Sequence, residues 1–233
     1  MTLSKARCIF LWPFYLQVLL VNFVLRLVLS LQDGGLWWSD FPEILFWGAV
    51  HDTYFFTFFA IPIVIYLWLT PARAFIHPSN KGTMQFISIL SSWILVGIAF
   101  FEYGFWQTHQ ARFDETIAQL FINDRHFFIT VLRGENLWAL IPSVFILGII
   151  IWGLSYKLLN YYLKRQEMVY SNFRFRVLPA AFFLLLPCLI FYFCEYKSQS
   201  LMPVETHWNK DQLKRNGSYQ MMSLIYQKKL YIK

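Results

Sequence analysis

Long apolar segments dominate this sequence, and they constrain its fold more than any other feature. Hydrophobic residues make up 58% of the 233 residues and charged residues only 14%, whereas an ordinary soluble domain has about 25% charged residues. The apolar residues lie in runs close to the roughly twenty residues that an α-helix needs to cross a bilayer. The sequence therefore predicts an all-α integral membrane protein.

Five of these runs are predicted to be transmembrane helices. The first is longer than the apolar part of a signal peptide and is interpreted as an uncleaved helix. Pro62 lies inside the second run and predicts a kink there. Residues 195–233 are polar and are predicted to form an extracytoplasmic tail or a truncated linker. The predicted spans are 8–31, 45–69, 86–101, 137–159 and 177–194, which together make one domain over residues 1–194.

The distribution of Lys and Arg predicts the orientation. With the N-terminus inside, the inner loops hold nine basic residues and the outer loops three. Because basic residues concentrate in cytoplasmic loops, we expect a cytoplasmic N-terminus and an extracytoplasmic C-terminus. The net charge of +7 is spread between apolar runs and the tail. That spacing differs from a basic patch on a soluble domain, so no nucleic-acid partner is expected.

Two charged residues fall at matching depths in the first two predicted spans. Arg26 lies about five residues from the outer end of its span, and Asp52 lies about seven residues in from the same side. At ~1.5 Å per residue, both lie roughly 7–10 Å below the outer interface. Because an isolated charge in hydrocarbon is costly, we predict that they pair. The pair is either structural or part of a polar pocket for a lipid headgroup.

The longest polar interruption, residues 101–138, is predicted to lie on the outer face. In 112–121, Phe113, Ile117 and Phe121 share one helix face, which indicates a helix lying in the interface. A second short helix is predicted over 123–132. These extracytoplasmic helices either pack over the bundle or shape a surface for lipid.

The sequence contains no catalytic motif that we could identify. His109, His126 and His207 are isolated, whereas a metal site needs several ligands at close spacing. No metal or cofactor is therefore expected in this chain. No nucleophile has a base beside it in the sequence, so no catalytic residue is predicted.

Four short segments carry a family resemblance, and two of them come from the first half of the chain. Phe46-Trp-Gly-Ala-Val-His-Asp-Thr-Tyr contains Gly-x-x-x-Asp, with Asp52 as the acid. Glu102-Tyr-Gly-Phe-Trp is followed by Arg112-Phe113. In these two segments the chain resembles the N-terminal membrane domain of the lipoteichoic-acid synthase and phosphoglycerol transferase family. This family belongs to the sulfatase and alkaline-phosphatase superfamily. Glu102 stands where the family more often has Asp.

The other two segments come from the second half. Glu135-Asn-Leu-Trp-Ala-Leu-Ile-Pro is similar to the start of the family's fourth span. Leu213-Lys-Arg-Asn-Gly-Ser-Tyr-Gln is similar to the Leu-x-x-Asn-Gly-x-Tyr segment that precedes the family's catalytic domain.

The resemblance implies a membrane-anchoring and lipid-presenting domain in the bacterial cytoplasmic (inner) membrane. The family's threonine nucleophile and its divalent metal, commonly manganese, belong to a catalytic domain that this sequence does not contain, so the chain is expected to be inactive alone. Its expected partners are membrane phospholipid and a separate catalytic domain. The anchor of a phosphoethanolamine transferase and a small membrane transport or channel subunit are the alternatives. The candidate polar cluster, structural or headgroup-binding, is Arg26, Asp52, Glu102 and Arg112.

Overall fold

The computed structural model describes residues 7–32, 40–109, 112, 141–164, 180–186, 189 and 212–220. These residues are almost entirely helical, and no strand occurs among them. A 3₁₀ turn over Arg7–Leu11 leads into the first helix. The α-helices, numbered in chain order, are α1 (Trp12–Gln32), α2 (Phe41–Phe59), α3 (Ile61–Leu69), α4 (Ala72–Ile76), α5 (Pro78–His109) and α6 (Ile141–Leu163).

Helices α1 and α5 pack side by side and run in the same direction. Gln17 bonds to Ser88 near their beginnings, and the Gln32 amide donates to the Tyr103 hydroxyl at 2.6 Å near their ends. We call the end of the bundle at Gln32 the distal end and the opposite end the proximal end. The expected orientation makes the distal end extracytoplasmic.

Helix α6 packs against both α1 and α5 and runs in the opposite direction. Near the proximal end, the Gln85 amide of α5 donates to the Asn160 side chain of α6 at 2.9 Å. Closer to the middle, Gly148 allows α6 to approach the Trp93 ring, which an added Cβ would meet at 3.2 Å. The three helices therefore form a triangular bundle whose apolar positions make the core.

The predicted kink at Pro62 is present. Proline has no backbone N–H and cannot donate to the carbonyl four residues earlier. The helix accordingly breaks at Ala60, and α2 and α3 meet at a bend of 45°. Pro62 lies in the first turn of α3, where a missing N–H costs least.

Helix α5 is longer than the predicted third span, 86–101. It begins at Pro78, in the first helical position, where proline costs least, and it continues to His109. Its 32 residues extend ~48 Å at 1.5 Å per residue, well beyond a hydrocarbon core of about 30 Å. The predicted span ends where polar residues begin. A helix can continue through the interface because its backbone hydrogen bonds are formed within the helix.

Three described helices are long and apolar enough to cross a membrane, and the bent pair α2–α3 makes a fourth if it is one span. This supports a helical membrane protein. The fifth predicted span, 177–194, is described only at 180–186, which is helical, and at 189, so the count of five stays a prediction. The two predicted interfacial helices lie outside the described residues, apart from Arg112.

A buried polar cluster links α1 to α5 through one glutamine. The Gln17 amide donates to the hydroxyls of Ser88 at 3.0 Å and Ser92 at 2.9 Å, and its carbonyl accepts from the Ser91 hydroxyl at 2.5 Å. All four side chains are buried. Hydrogen bonds between helices hold apolar segments in register where the hydrophobic effect cannot.

We expect Gln17→Leu to destabilise the protein by about 0.5–2 kcal/mol, the range found for such bonds in membranes. Three serine groups lose their partner while an apolar side chain of similar size fills the site. The measurement is reversible unfolding in mixed detergent micelles, followed by circular dichroism. Gln32→Leu, on the exposed end of the same helix, is the control and should change stability less. An equal effect of the two substitutions would contradict this interpretation.

Candidate functional site

At the distal end, Arg26 of α1 and Asp52 of α2 form a buried ion pair. The two guanidinium nitrogens Nη1 and Nη2 donate to the two carboxylate oxygens at 2.5 Å and 2.8 Å. Both residues are 1% exposed. The pairing predicted from their depths is therefore present, in the two-pronged geometry that gives Arg–carboxylate pairs their strength.

Gly48 lets the guanidinium of Arg26 lie directly on the backbone of α2. Gly48 precedes Asp52 by one helical turn and so lies on the same face. Its carbonyl accepts from Nη2 of Arg26 at 3.1 Å. A Cβ built on Gly48 would stand 2.4 Å from Nε of Arg26, so the pair requires glycine at this position.

Residues 212–220, which we call the 212–220 segment, lie over this pair. The carbonyl of Leu213 accepts from Nε of Arg26 at 3.1 Å. The Asn216 amide donates to Asp52 at 2.7 Å, and the Asn216 carbonyl accepts from the backbone N–H of Tyr219 at 2.9 Å. The segment thus completes the hydrogen bonding of both buried charges, which would otherwise be expensive to bury.

A second buried ion pair joins the last turns of α5 to the same segment. Nε of Arg112 donates to the Glu102 carboxylate, and the Arg112 backbone N–H donates to the Gln212 side chain at 3.3 Å. Nη1 of Arg112 donates to the carbonyl of Arg215, which also accepts from Nη2 of Arg26 at 3.4 Å. That shared carbonyl joins the two ion pairs into one network, which we call the distal ion network: Arg26, Asp52, Glu102 and Arg112.

The 212–220 segment is also fixed by contacts outside the network. Lys214 is buried and its Nζ donates to Glu43 of α2 at 2.6 Å. Leu213 packs in an apolar cluster with Leu25, Leu29, Ile44 and Trp106. The ring of Tyr219 lies 5.7 Å from that of His51. Ion pairs, apolar packing and ring contacts therefore all hold this polar stretch on the bundle.

The network has one donor left over. Nη2 of Arg112 is buried and has no hydrogen-bond partner among the described residues. Three ion pairs meet in this part of the structure, in which Arg26, Arg112 and Lys214 pair with Asp52, Glu102 and Glu43. An arginine fork with a spare donor suits an anionic oxygen such as that of a phosphate.

The four candidate residues of the sequence analysis all lie in this network. The contacts that sequence reasoning missed are those of Gln212, Lys214, Asn216 and Glu43. For Lys214 and Asn216 the signal in the sequence is the Leu-x-x-Asn-Gly-x-Tyr pattern from Leu213 to Tyr219, whereas Gln212 and Glu43 carry no such signal.

The described residues contain no group of three or more His, Cys, Asp or Glu that could hold a metal ion. His51 lies beside the network, with its Nδ1 lacking a partner among the same residues. The positions of His126 and His207 and the side chain of His109 lie outside the description. The part of the site that is described can bind anions or carbonyl groups, and it offers them no paired nucleophile and base.

Comparison of the chain with protein-family models, with curated proteins and with solved structures finds no match.

Proposed function

We propose that this chain is the membrane-anchoring and lipid-presenting domain of a phosphoglycerol-transferase-like protein of the lipoteichoic-acid synthase type. It lies in the bacterial inner membrane with its distal end outside. Catalysis, with its manganese, belongs to a separate domain, and this chain binds phospholipid.

The observation that carries the proposal is the position of the 212–220 segment. In the resemblance, this segment comes just before the catalytic domain. Here it lies on the distal ion network, held by Arg26, Asp52 and Arg112. A domain joined to such a segment has a fixed attachment to the membrane surface, which is what an anchoring function requires.

The course of the chain supports the proposed topology. Helix α6 ends at the proximal end, whereas the 212–220 segment lies at the distal end. The chain therefore passes from one end to the other between residues 164 and 212, as a fifth crossing over 177–194 requires.

The spare donor of Arg112 supports the lipid-presenting part of the proposal. A phosphodiester headgroup that reaches Nη2 of Arg112 would supply the acceptor that this donor lacks among the described residues. Phosphatidylglycerol carries a net negative charge, whereas the phosphate of phosphatidylcholine is balanced by its own quaternary ammonium group, so we expect the guanidinium of Arg112 to favour phosphatidylglycerol.

The test is native mass spectrometry of the chain released from bilayers of equal phosphatidylglycerol, phosphatidylethanolamine and phosphatidylcholine content. We expect retained phosphatidylglycerol to exceed phosphatidylcholine several-fold, and Arg112→Gln to remove most of that excess. Arg73→Gln, an exposed cation near the proximal end, is the matched control and should leave it unchanged. Retention of phosphatidylethanolamine above phosphatidylglycerol would favour the phosphoethanolamine transferase anchor. Equal retention of all three lipids would overturn the headgroup preference.

A further inference from the structure

An apolar cavity of about 220 Å³ lies between α1, α5 and α6. It is distinct from the distal ion network, and its walls are valine, leucine, alanine and phenylalanine side chains. A cavity of about 150 Å³ with such walls is large enough to hold a benzene molecule. The lining includes Val24, Val28, Ala99, Phe100, Val144 and Leu147.

The cavity is almost entirely apolar, and the two hydroxyl-bearing residues that line it lie at one end. From Val21 to Val28 of α1 it follows two helical turns, or ~10 Å. Its polar residues are Tyr103, near the end of α5, and Ser143, in the first turn of α6. Both belong to the distal end, where the Tyr103 hydroxyl also accepts from Gln32. This polarity matches a lipid whose chain points into the bilayer and whose ester groups lie at the interface.

The surroundings of the cavity are membrane-facing. On α6, the residues next to the cavity-lining Val144 are exposed: Phe145 is 53% and Ile146 is 60% exposed. On α1, Phe23 next to Val24 is 41% exposed. Apolar side chains exposed on membrane helices face lipid tails, so acyl chains are the molecules that surround this part of the bundle.

The cavity also shares a wall with the site of the 212–220 segment. Leu25, Ala99 and Tyr103 line the cavity and belong to the apolar cluster that contains Leu213. A chain in the cavity would therefore lie one side-chain layer from the residue whose carbonyl accepts from Arg26.

We infer that this cavity binds one acyl chain of a membrane phospholipid, with the ester end of that chain at Tyr103 and Ser143. The inference deepens the proposed lipid-presenting function and rests on it: the headgroup lies toward the ion network while the cavity fixes one chain. The size, the apolar walls and the position of Tyr103 and Ser143 at the distal end all fit this occupant.

The test uses a phosphatidylglycerol whose one acyl chain carries a photoreactive diazirine at mid-chain, with the full chain reconstituted in bilayers. Illumination followed by peptide mapping should place label on the cavity-lining residues of α1 and α5. Val144→Phe fills the cavity and should lower that labelling at least five-fold. Ile146→Phe, two residues away on the lipid-facing side of the same helix, should leave it unchanged. Ala99→Phe approaches from another helix and repeats the test if Val144→Phe folds poorly by size-exclusion chromatography.

Two outcomes would overturn the inference. Label confined to exposed residues such as Ile146 and Ile150 indicates surrounding bulk lipid only. Equal labelling of the cavity-lining residues in Val144→Phe and in the unchanged protein indicates that the label does not come from an acyl chain inside the cavity. A diazirine phosphatidylcholine separates this inference from the proposed function. If both lipids label the cavity equally, the acyl site stands and the headgroup preference fails. If Arg112→Gln abolishes the retention of phosphatidylglycerol while the cavity stays unlabelled, the headgroup preference stands and the acyl site fails.

Discussion

Asp52→Asn is expected to destabilise the folded protein by about 3–5 kcal/mol, the cost of leaving one member of a buried ion pair without its partner. Asparagine keeps the shape of the side chain and can still accept from Asn216. The loss of stability therefore measures the effect of removing the negative charge that balances Arg26. Arg26→Gln is expected to act similarly, because its guanidinium also donates to Leu213 and Gly48. Reversible unfolding in mixed micelles measures both.

The double variant tests whether the two charges act as a pair. We expect its free energy of unfolding to differ from the sum of the single effects by about 0.5–3 kcal/mol. Arg73→Gln, an exposed charge near the other end of the bundle, is the control and should change stability by at most about 0.5 kcal/mol. Simple additivity would be incompatible with the contact between Arg26 and Asp52.

The sequence could predict this pair because membrane helices restrict where charges lie. Each apolar run marks its own ends, so counting residues from the same side gives the depth of Arg26 and of Asp52. The kink at Pro62 was also predictable, because proline removes a backbone hydrogen bond from its own helix whatever that helix packs against.

The position of the 212–220 segment over the Arg26–Asp52 pair could not be predicted in this way. Arg26 and Leu213 are 187 positions apart. The groups of this segment that accept from the side chains of Arg26 and Arg112 are backbone carbonyls, which every residue has. Composition therefore described a polar tail. The segment was singled out only by its resemblance to a family motif, and that resemblance says nothing about its contacts.

Helix α5 extends beyond the predicted span for a physical reason. Hydropathy finds the part of a helix that lies in hydrocarbon, which is a property of side chains. Helix length depends on backbone hydrogen bonds, and the helix continues through Glu102 to His109. This extension helps to form the site, because Glu102 on α5 pairs with Arg112 just beyond the helix end.

Gly48→Ala is expected to destabilise the protein by about 1–3 kcal/mol, as overpacking usually does, although alanine is intrinsically the better helix residue. The new Cβ would stand 2.4 Å from Nε and 2.5 Å from Cζ of Arg26. The end of an arginine side chain can usually move away, but this one is held by Asp52, Leu213 and the Gly48 carbonyl itself. Moving it breaks the ion pair and releases the 212–220 segment, so limited proteolysis should cleave near Arg215 faster than in the unchanged protein.

Gly97→Ala on α5 is the matched control, because an added Cβ there has no atom within 4 Å among the described residues. It should leave stability unchanged or raise it by up to about 1 kcal/mol. Glycine to alanine is therefore expected to lower stability at position 48 and not at position 97. In an Arg26→Gln background the shorter side chain no longer reaches over Gly48, and Gly48→Ala should then lose most of its cost. If Gly48→Ala is as harmless as Gly97→Ala in the unchanged protein, the guanidinium of Arg26 does not lie on the backbone of α2.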